Sequence, residues 1–462
     1  MSNKISTDIE RKIIDDFAKE IKERSVPADP PKMTVIDFRT DRQTRYERLV
    51  KLVPIRLLRF RKDNGRIASD IISHEKLNGI LDETEEDTQE LIRKFLKEKD
   101  EENNIKLIKS IEHSGQNEPA IITCDGFLIN GNRRKMAIEE LYKKTNEDKY
   151  TWMRVVILPG KGEDGGVPTI RDIEKLENRY QLQSDGKSEY TNFDRAISIQ
   201  RKIDFGIKLD EQLRDDPTNV GLGDKEFKKV VQEYEDKFLG PLECIDRYLE
   251  QLNRNGLYDN ISEGRSDREG RWYSFVEYYK LFKQLQDDKR RTELGVEEDE
   301  VGDIEDVAFK VIRKKDFPEN LKLMQVIRTI PRILKTKEAK NELMKIGTNT
   351  VELTKGELSP DDDLKTIDKK WGNNNGPLII SRVKKAIQIV IKEREQETPF
   401  TLLVDALKKL NHENMDPISL DLSKLKQALD LTKQIQARAN ELEKEFWTIE
   451  KGSDKFKIRK NK

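Results

Sequence analysis

The stretch Glu118 to Leu141, EPAIITCDGFLINGNRRKMAIEEL, constrains the fold more than any other part of the chain. It reads as strand, tight turn, strand and helix in unbroken succession. Pro119 to Thr123 is a short β-branched run, and Asp125-Gly126 is a hairpin signal between apolar segments. Phe127, Leu128 and Ile129 form the returning strand. Gly131 permits a sharp turn, and Asn132 suits the N-cap of the next helix. Met136, Ala137, Ile138 and Leu141 give that helix its buried face.

Arg133 and Arg134 fall in the first helical turn. Cations there oppose the helix dipole, whereas the free amides attract anions. Two guanidiniums beside such amides make a phosphate site, because arginine meets phosphate oxygens in pairs. The alternative pairs both arginines with carboxylates, which this chain has in abundance.

Charge limits the partners. Among 462 residues, 88 are basic and 89 acidic, a net of -1, so the molecule as a whole is no polycation and any nucleic-acid contact must use a local patch. Cys124 and Cys244 form no metal or redox motif, and three histidines cannot make a His-rich zinc site. This usage fits a reducing cytoplasm. No secretory segment opens the chain, and no apolar run is long enough for a membrane span, so no membrane partner is expected.

Along the chain, Ile9, Ile13, Ile14, Phe17 and Ile21 mark an amphipathic N-terminal helix, ended by Pro27, Pro30 and Pro31. This arm, residues 1–50, docks on the body or on a second copy. Residues 51–67 predict a basic strand and a turn at Asp63-Asn64-Gly65. Residues 68–104 read as an acidic helical surface insertion, followed by a short helix whose Ile105, Ile108 and Ile111 face the core and which Gly115 stops. Trp152 to Leu158 is a further strand, and the glycines of 160–168 lack Walker spacing. Ile170 to Leu182 is a helix carrying the adjacent pair Glu177-Asn178.

Beyond it the chain is helical. Residues 224–256 predict two helices around a tight turn at Leu239-Gly240-Pro241, the size of a helix-turn-helix. The second would expose Arg247, Gln251 and Arg254 among as many acids as bases, a poor approach for phosphate. An ordinary helical hairpin is the other reading. Helices over 303–346 are expected to break at Pro318 and Pro331, and 347–377 to form a loop. Leu422, Leu425, Leu429, Ala439, Leu442 and Phe446 then lie near heptad spacing, to pack internally or to pair two copies. The expected fold class is α+β: a small mixed sheet-helix domain, 51–168, then a large all-α region divided into 169–300 and 301–462.

Taken together, residues 51–260 resemble the ParB/sulfiredoxin-like superfamily, specifically the amino-terminal and central parts of ParB partition proteins. The resemblance rests on KLVPIRLLRFRKDNGRI, IKLIKSIEHSGQNEPAIIT, DGFLINGNRRKMAIEEL and LENRYQLQ, which follow one another in the family's order. It implies that Gly115, Gly131, Asn132, Arg133, Arg134 and Asn178 hold a nucleoside triphosphate, cytidine triphosphate by analogy. It also implies that Glu177 and Asn178 face Mg2+, and that Glu177 positions the water of a slow hydrolysis. Arg247, Gln251 and Arg254 are the implied DNA contacts. Three departures stand out. Asn132 replaces the family's glutamate, the second box reads Glu-Asn-Arg-Tyr-Gln, and no cysteine occupies the Gly131 corner, which excludes cysteine-sulfinate reduction. The expected function is a nucleotide-dependent, DNA-associated switch. The rivals are a nuclease or phosphotransferase of the same fold, serving a mobile element or phage defence, and a binding module without turnover.

Overall fold

β-branched runs bounded by turn residues produce six short strands: β1 Val26–Pro27, β2 Met33–Thr34, β3 Arg48–Pro54, β4 Ala120–Ile122, β5 Leu128–Asn130 and β6 Trp152–Ile157. In this computed structural model, residues 10–182, 191–214, 216–219, 221–258, 261, 271–319, 321–354, 356–359 and 361–460 are described. The expected places of Ile9 in the arm and of a break at Asp215 lie outside them.

The strands form one mixed sheet in the order β1-β3-β6-β4-β5, with β2 also paired to β3. β4 runs parallel to β6, and the other pairings are antiparallel. The fold is α+β, as expected, with a large helical region beside the small sheet. Its helices are α1 Asp15–Arg24, α2 Asp41–Thr44, α3 Ala68–Asn78, α4 Glu86–Lys99, α5 Glu101–Ser114, α6 Asn132–Thr145, α7 Ile170–Leu182, α8 Asn192–Asp204 and α9 Leu209–Arg214. They continue as α10 Asp224–Tyr234, α11 Gly240–Gln251, α12 Trp272–Gln286, α13 Asp288–Glu293, α14 Val301–Lys314, α15 Leu323–Lys335, α16 Lys337–Asn349, α17 Leu364–Leu410 and α18 Leu425–Lys460. Among the described residues no helix is long and apolar enough to cross a membrane.

The opening hairpin forms as read. The Gly126 N–H donates to the Thr123 carbonyl, and the Thr123 N–H to Phe127. Gly126 has φ +87, and a Cβ there would come within 2.6 Å of the Leu57 carbonyl oxygen. The N-terminal arm docks on this hairpin. Arg11 forms an ion pair with the fully buried Asp125 at 2.7 Å, the Ile14 N–H donates to the same carboxylate, and Ile21 joins the core.

Several expectations are corrected. Residues 68–104 are no surface insertion: Ile71, Ile92 and Leu96 are buried in the core beside β4, β5 and α6. The count of charges masked their helical spacing. α5 starts at Glu101, so its face turns Ile111 inward and leaves Ile105 47% exposed. The turn at Leu239-Gly240-Pro241 does not form. α10, a π-helical segment Glu235–Leu239 and α11 run as one continuous helix. Pro241 lacks an N–H and would crowd the preceding turn, and a π segment relieves that clash. Gly240 is explained by packing, because a Cβ there would run into the Tyr279 ring of α12.

The same competition recurs downstream. Pro331 lies inside α15 without ending it. Asn373 to Pro377 lies inside α17, where the Asn375 side chain bonds both backbone groups of Val351 and Gly376 faces the Lys314 side chain. The Asp361-Asp362-Asp363 run is a solvated turn whose Asp363 accepts from the Thr366 N–H. A large core of α8 to α12 and α14 to α17, with Trp272, Tyr248, Tyr278 and Trp371 fully enclosed, fills the helical region.

By contact, the chain divides into Met1–Val390 and Ile391–Lys462. The second unit holds the last part of α17 and α18.

Candidate functional site

β5 ends at Asn130 and delivers the chain to Gly131, whose φ of +105 turns it directly into α6. A Cβ on Gly131 would lie 2.6 Å from that of Ala120, so glycine is required by both conformation and space. Gly131, and not Asn132, occupies the N-cap position, and Asn132 is the first residue of the helix. The correction has a chemical consequence. No side chain caps this helix end, and its first turn carries no acid. A helix end without a side-chain cap is a place where an anion can accept from backbone N–H groups. Asn132 itself is 9% exposed, and its Oδ1 has no hydrogen-bond partner.

The two arginines lie on either side of this end. Arg133 donates from Nε to Asn104 Oδ1 at 2.8 Å, and its Nη2 lies 3.9 Å from the Asp100 carboxylate. Arg134 donates to the carbonyls of Glu118 and Pro119 and to Asn130 Oδ1. Its partners are neutral oxygens, and among the described residues no carboxylate forms an ion pair with it. Burial pulls its guanidinium below the ordinary arginine value. The Glu118 charge offsets part of that burial, and a guanidinium hydrogen-bonded to neutral oxygens therefore stands beside a helix end with no side-chain cap.

Gly115 ends α5 with φ +69, and the loop after it reaches Arg134 through the Glu118 carbonyl. The structure thus brings Gly131, Asn132, Arg133 and Arg134 to one helix end, whereas Gly115 lies three residues before Glu118 and a Cβ there would meet nothing within 4 Å. Tyr180 of α7 is close enough to influence Arg134, and burial pushes its own phenol up to about 12.

Glu177 and Asn178 lie one turn before Tyr180 and do something different. Glu177 accepts from the Gly65 N–H at 3.2 Å and from Arg61 Nη1 at 3.4 Å. Glu174, one turn earlier, accepts from Arg61 at 3.2 Å and from Arg201 of α8 at 2.9 Å. Two carboxylates and two guanidiniums form a buried box that joins the sheet side to the helical region. Burial opposes ionisation of Glu174, but Arg201 and Arg61 outweigh it and hold the group below the usual range. Glu177 is pushed up by burial and then by the Glu174 charge. Asn178 donates to the Gln212 carbonyl and accepts from Lys202 Nζ at 3.1 Å.

These bonds bear on magnesium. Both Glu177 oxygens and Asn178 Oδ1 already accept from the protein's own N–H groups, so the pair does not present the open set of hard oxygens that Mg2+ takes. Among the described residues no group of three or more His, Cys, Asp or Glu side chains could hold a metal ion.

Sequence reasoning missed Glu174, Arg201 and Lys202. The only local signal was that Glu174, Glu177 and Asn178 share one face of α7 at three- and four-residue spacing. It also missed Lys99, which is buried between Asp70 at 2.7 Å and Asp194 at 2.9 Å. On the far side of the box, Arg61 and Glu174 line a cavity of about 690 Å3 whose other walls include Phe17, Phe127 and Phe205.

The three residues expected to contact DNA are engaged elsewhere. Arg247 grips Glu305 through two bonds of 3.0 and 2.7 Å, Gln251 bonds Asp306, and the buried Arg254 bonds Asp368 at 3.0 Å. Comparisons of the chain with known protein families, with curated proteins and with solved structures find no match.

Proposed function

We propose that this protein binds the phosphates of a nucleoside triphosphate at the corner formed by Gly131 to Arg134. One observation carries the reading: Arg134 is held by neutral oxygens beside an uncapped helix N-terminus. A phosphate oxygen is a stronger partner for the Arg133 Nε than the neutral Asn104 oxygen that it now meets, and it would compete with the Asp100 carboxylate 3.9 Å from Nη2. The resemblance to ParB proteins makes cytidine triphosphate the first candidate. Its magnesium would travel on the phosphate oxygens, with no protein ligand assigned to it.

The reading as a switch rests on α7. Its Tyr180 lies by Arg134, while its Glu174, Glu177 and Asn178 hold Arg61, Arg201, Lys202 and Gln212. A displacement of α7 by bound nucleotide would therefore strain the joint with the helical region. DNA is the macromolecular partner this reading implies. Contact through Arg247, Gln251 and Arg254 would first have to break their bonds to Glu305, Asp306 and Asp368.

The test is a panel of the four ribonucleoside triphosphates with Mg2+, titrated into wild type and Arg134→Ala. Loss of a charged hydrogen-bonding partner is worth ~1.5–3 kcal/mol, roughly a 10- to 150-fold loss of affinity. Retention of no triphosphate by the wild type, or equal affinity in the variant, overturns the proposal.

A further inference from the structure

From Ile391 to Lys451 no described residue is buried, yet sixteen large apolar side chains in this unit are exposed. A segment of this length with that much apolar surface needs a core from somewhere. α18 shows where one would form. Leu431, Ile435, Ala439, Leu442, Phe446 and Ile449 recur every three or four residues and share one face of the helix. Ile435, Phe446 and Ile449 are 46%, 42% and 65% exposed.

The apolar stripe at the end of α17, Phe400 to Leu410, spans 11 residues, about 16 Å of helix, and cannot cover the roughly 33 Å between Ala428 and Ile449. A second copy of α18 can. The stripe is symmetric about the Arg438-Ala439 bond. Leu431 and Phe446 stand equally far from it, as do Ile435 and Leu442, and Ala428 and Ile449. Charge then selects the direction. In residues 425–438, Lys426, Lys433 and Arg438 against Asp430 leave a net +2. In 439–451, Glu441, Glu443, Glu445 and Glu450 against Lys444 and Lys451 leave a net -2. Parallel pairing sets like halves together, whereas antiparallel pairing sets opposite halves together.

We infer that two copies of this chain associate through α18 as an antiparallel, two-fold helix pair centred on Arg438-Ala439. Such an interface is self-complementary, as two-fold symmetry requires. Small Ala439 near the centre lets the helices approach closely.

The experiment is sedimentation equilibrium of the full chain across a range of concentrations. Wild type is expected to be a dimer, and Ile435→Lys/Leu442→Lys a monomer with unchanged helical content by circular dichroism. Lys426→Glu/Lys433→Glu makes both halves of the paired stretch 425–451 negative and is expected to weaken the dimer at least tenfold. Adding Glu443→Lys/Glu450→Lys to the same chain reverses both halves and is expected to restore it. A monomeric wild type overturns the inference, and so does a dimer indifferent to the two core lysines, which would place the interface elsewhere. Failure of the fourfold charge reversal to restore association overturns the antiparallel arrangement.

Discussion

Arg61→Ala removes one corner of the buried charge box and leaves Glu174 and Glu177 to share Arg201. Glu174 is 1% exposed and Glu177 is 5% exposed, so both carboxylates rely on the guanidiniums for compensation. Removing one partner from a buried ion pair costs about 3–5 kcal/mol, because the remaining charge stays desolvated. The loss would be roughly a third to a half of the ~10 kcal/mol that stabilises an ordinary domain. It would appear at pH 7 as a lower urea midpoint with little change in slope. The pH dependence follows from Glu177, which burial and the Glu174 charge already push up and which loses an opposing cation in the variant, so its share of the deficit is full above the carboxylate range and shrinks as falling pH protonates it. Adding Glu177→Ala to Arg61→Ala should recover part of the loss, since one uncompensated charge is then absent. A loss below ~1 kcal/mol at pH 7, or one that grows on acidification, would refute the view that the box is a desolvated charge network.

Further perturbations separate the roles of neighbouring residues. Glu177→Gln should cost less stability than Glu174→Gln at pH 7, because burial and the Glu174 charge already oppose ionisation of Glu177 whereas Arg201 and Arg61 favour that of Glu174; equal losses in chemical denaturation would contradict this ordering. Gly131→Ala places a Cβ against Ala120 at positive φ and should lower stability by about 1–3 kcal/mol, read as a drop in Tm. Gly240→Ala should cost about 1–3 kcal/mol by driving a methyl into Tyr279, and the accompanying Tyr279→Ala should remove most of that penalty in a double-mutant cycle. Asp125→Ala strips Arg11 and the Ile14 N–H of their partner, so amide exchange across 10–24 should accelerate while that of α12 and α14 stays unchanged.

The parts of the fold that were legible in the sequence are those set by neighbours in sequence. The hairpin follows from alternating apolar residues around Asp125-Gly126, and the start of α6 from Gly131. What the sequence concealed depends on distant partners. Gly240-Pro241 and Asn373 to Pro377 carry turn residues, but Tyr279, Lys314 and Val351 hold those backbones helical, so tertiary packing overrides local preference. The acidic stretch after residue 68 concealed Ile71, Ile92 and Leu96 because charged residues on the outer face dominate its composition. At the candidate site, Gly131 to Arg134 was visible because the signal is contiguous. The box was not, since Arg61 and Glu177 are 116 residues apart and neither chooses its partner locally. Asn132 shows how narrow the margin is: one residue of displacement at the helix start turns an expected cap into a buried, unpartnered acceptor.

The central claim is that the first turn of α6 receives phosphate. A structure of the protein with a bound nucleoside triphosphate and Mg2+ tests it most directly. The account predicts phosphate oxygens within hydrogen-bonding distance of the N–H groups of Asn132 to Arg134, with the Arg134 guanidinium turned from the Glu118 and Pro119 carbonyls toward them. A triphosphate seated away from this turn, with Arg134 still on those carbonyls, would contradict it.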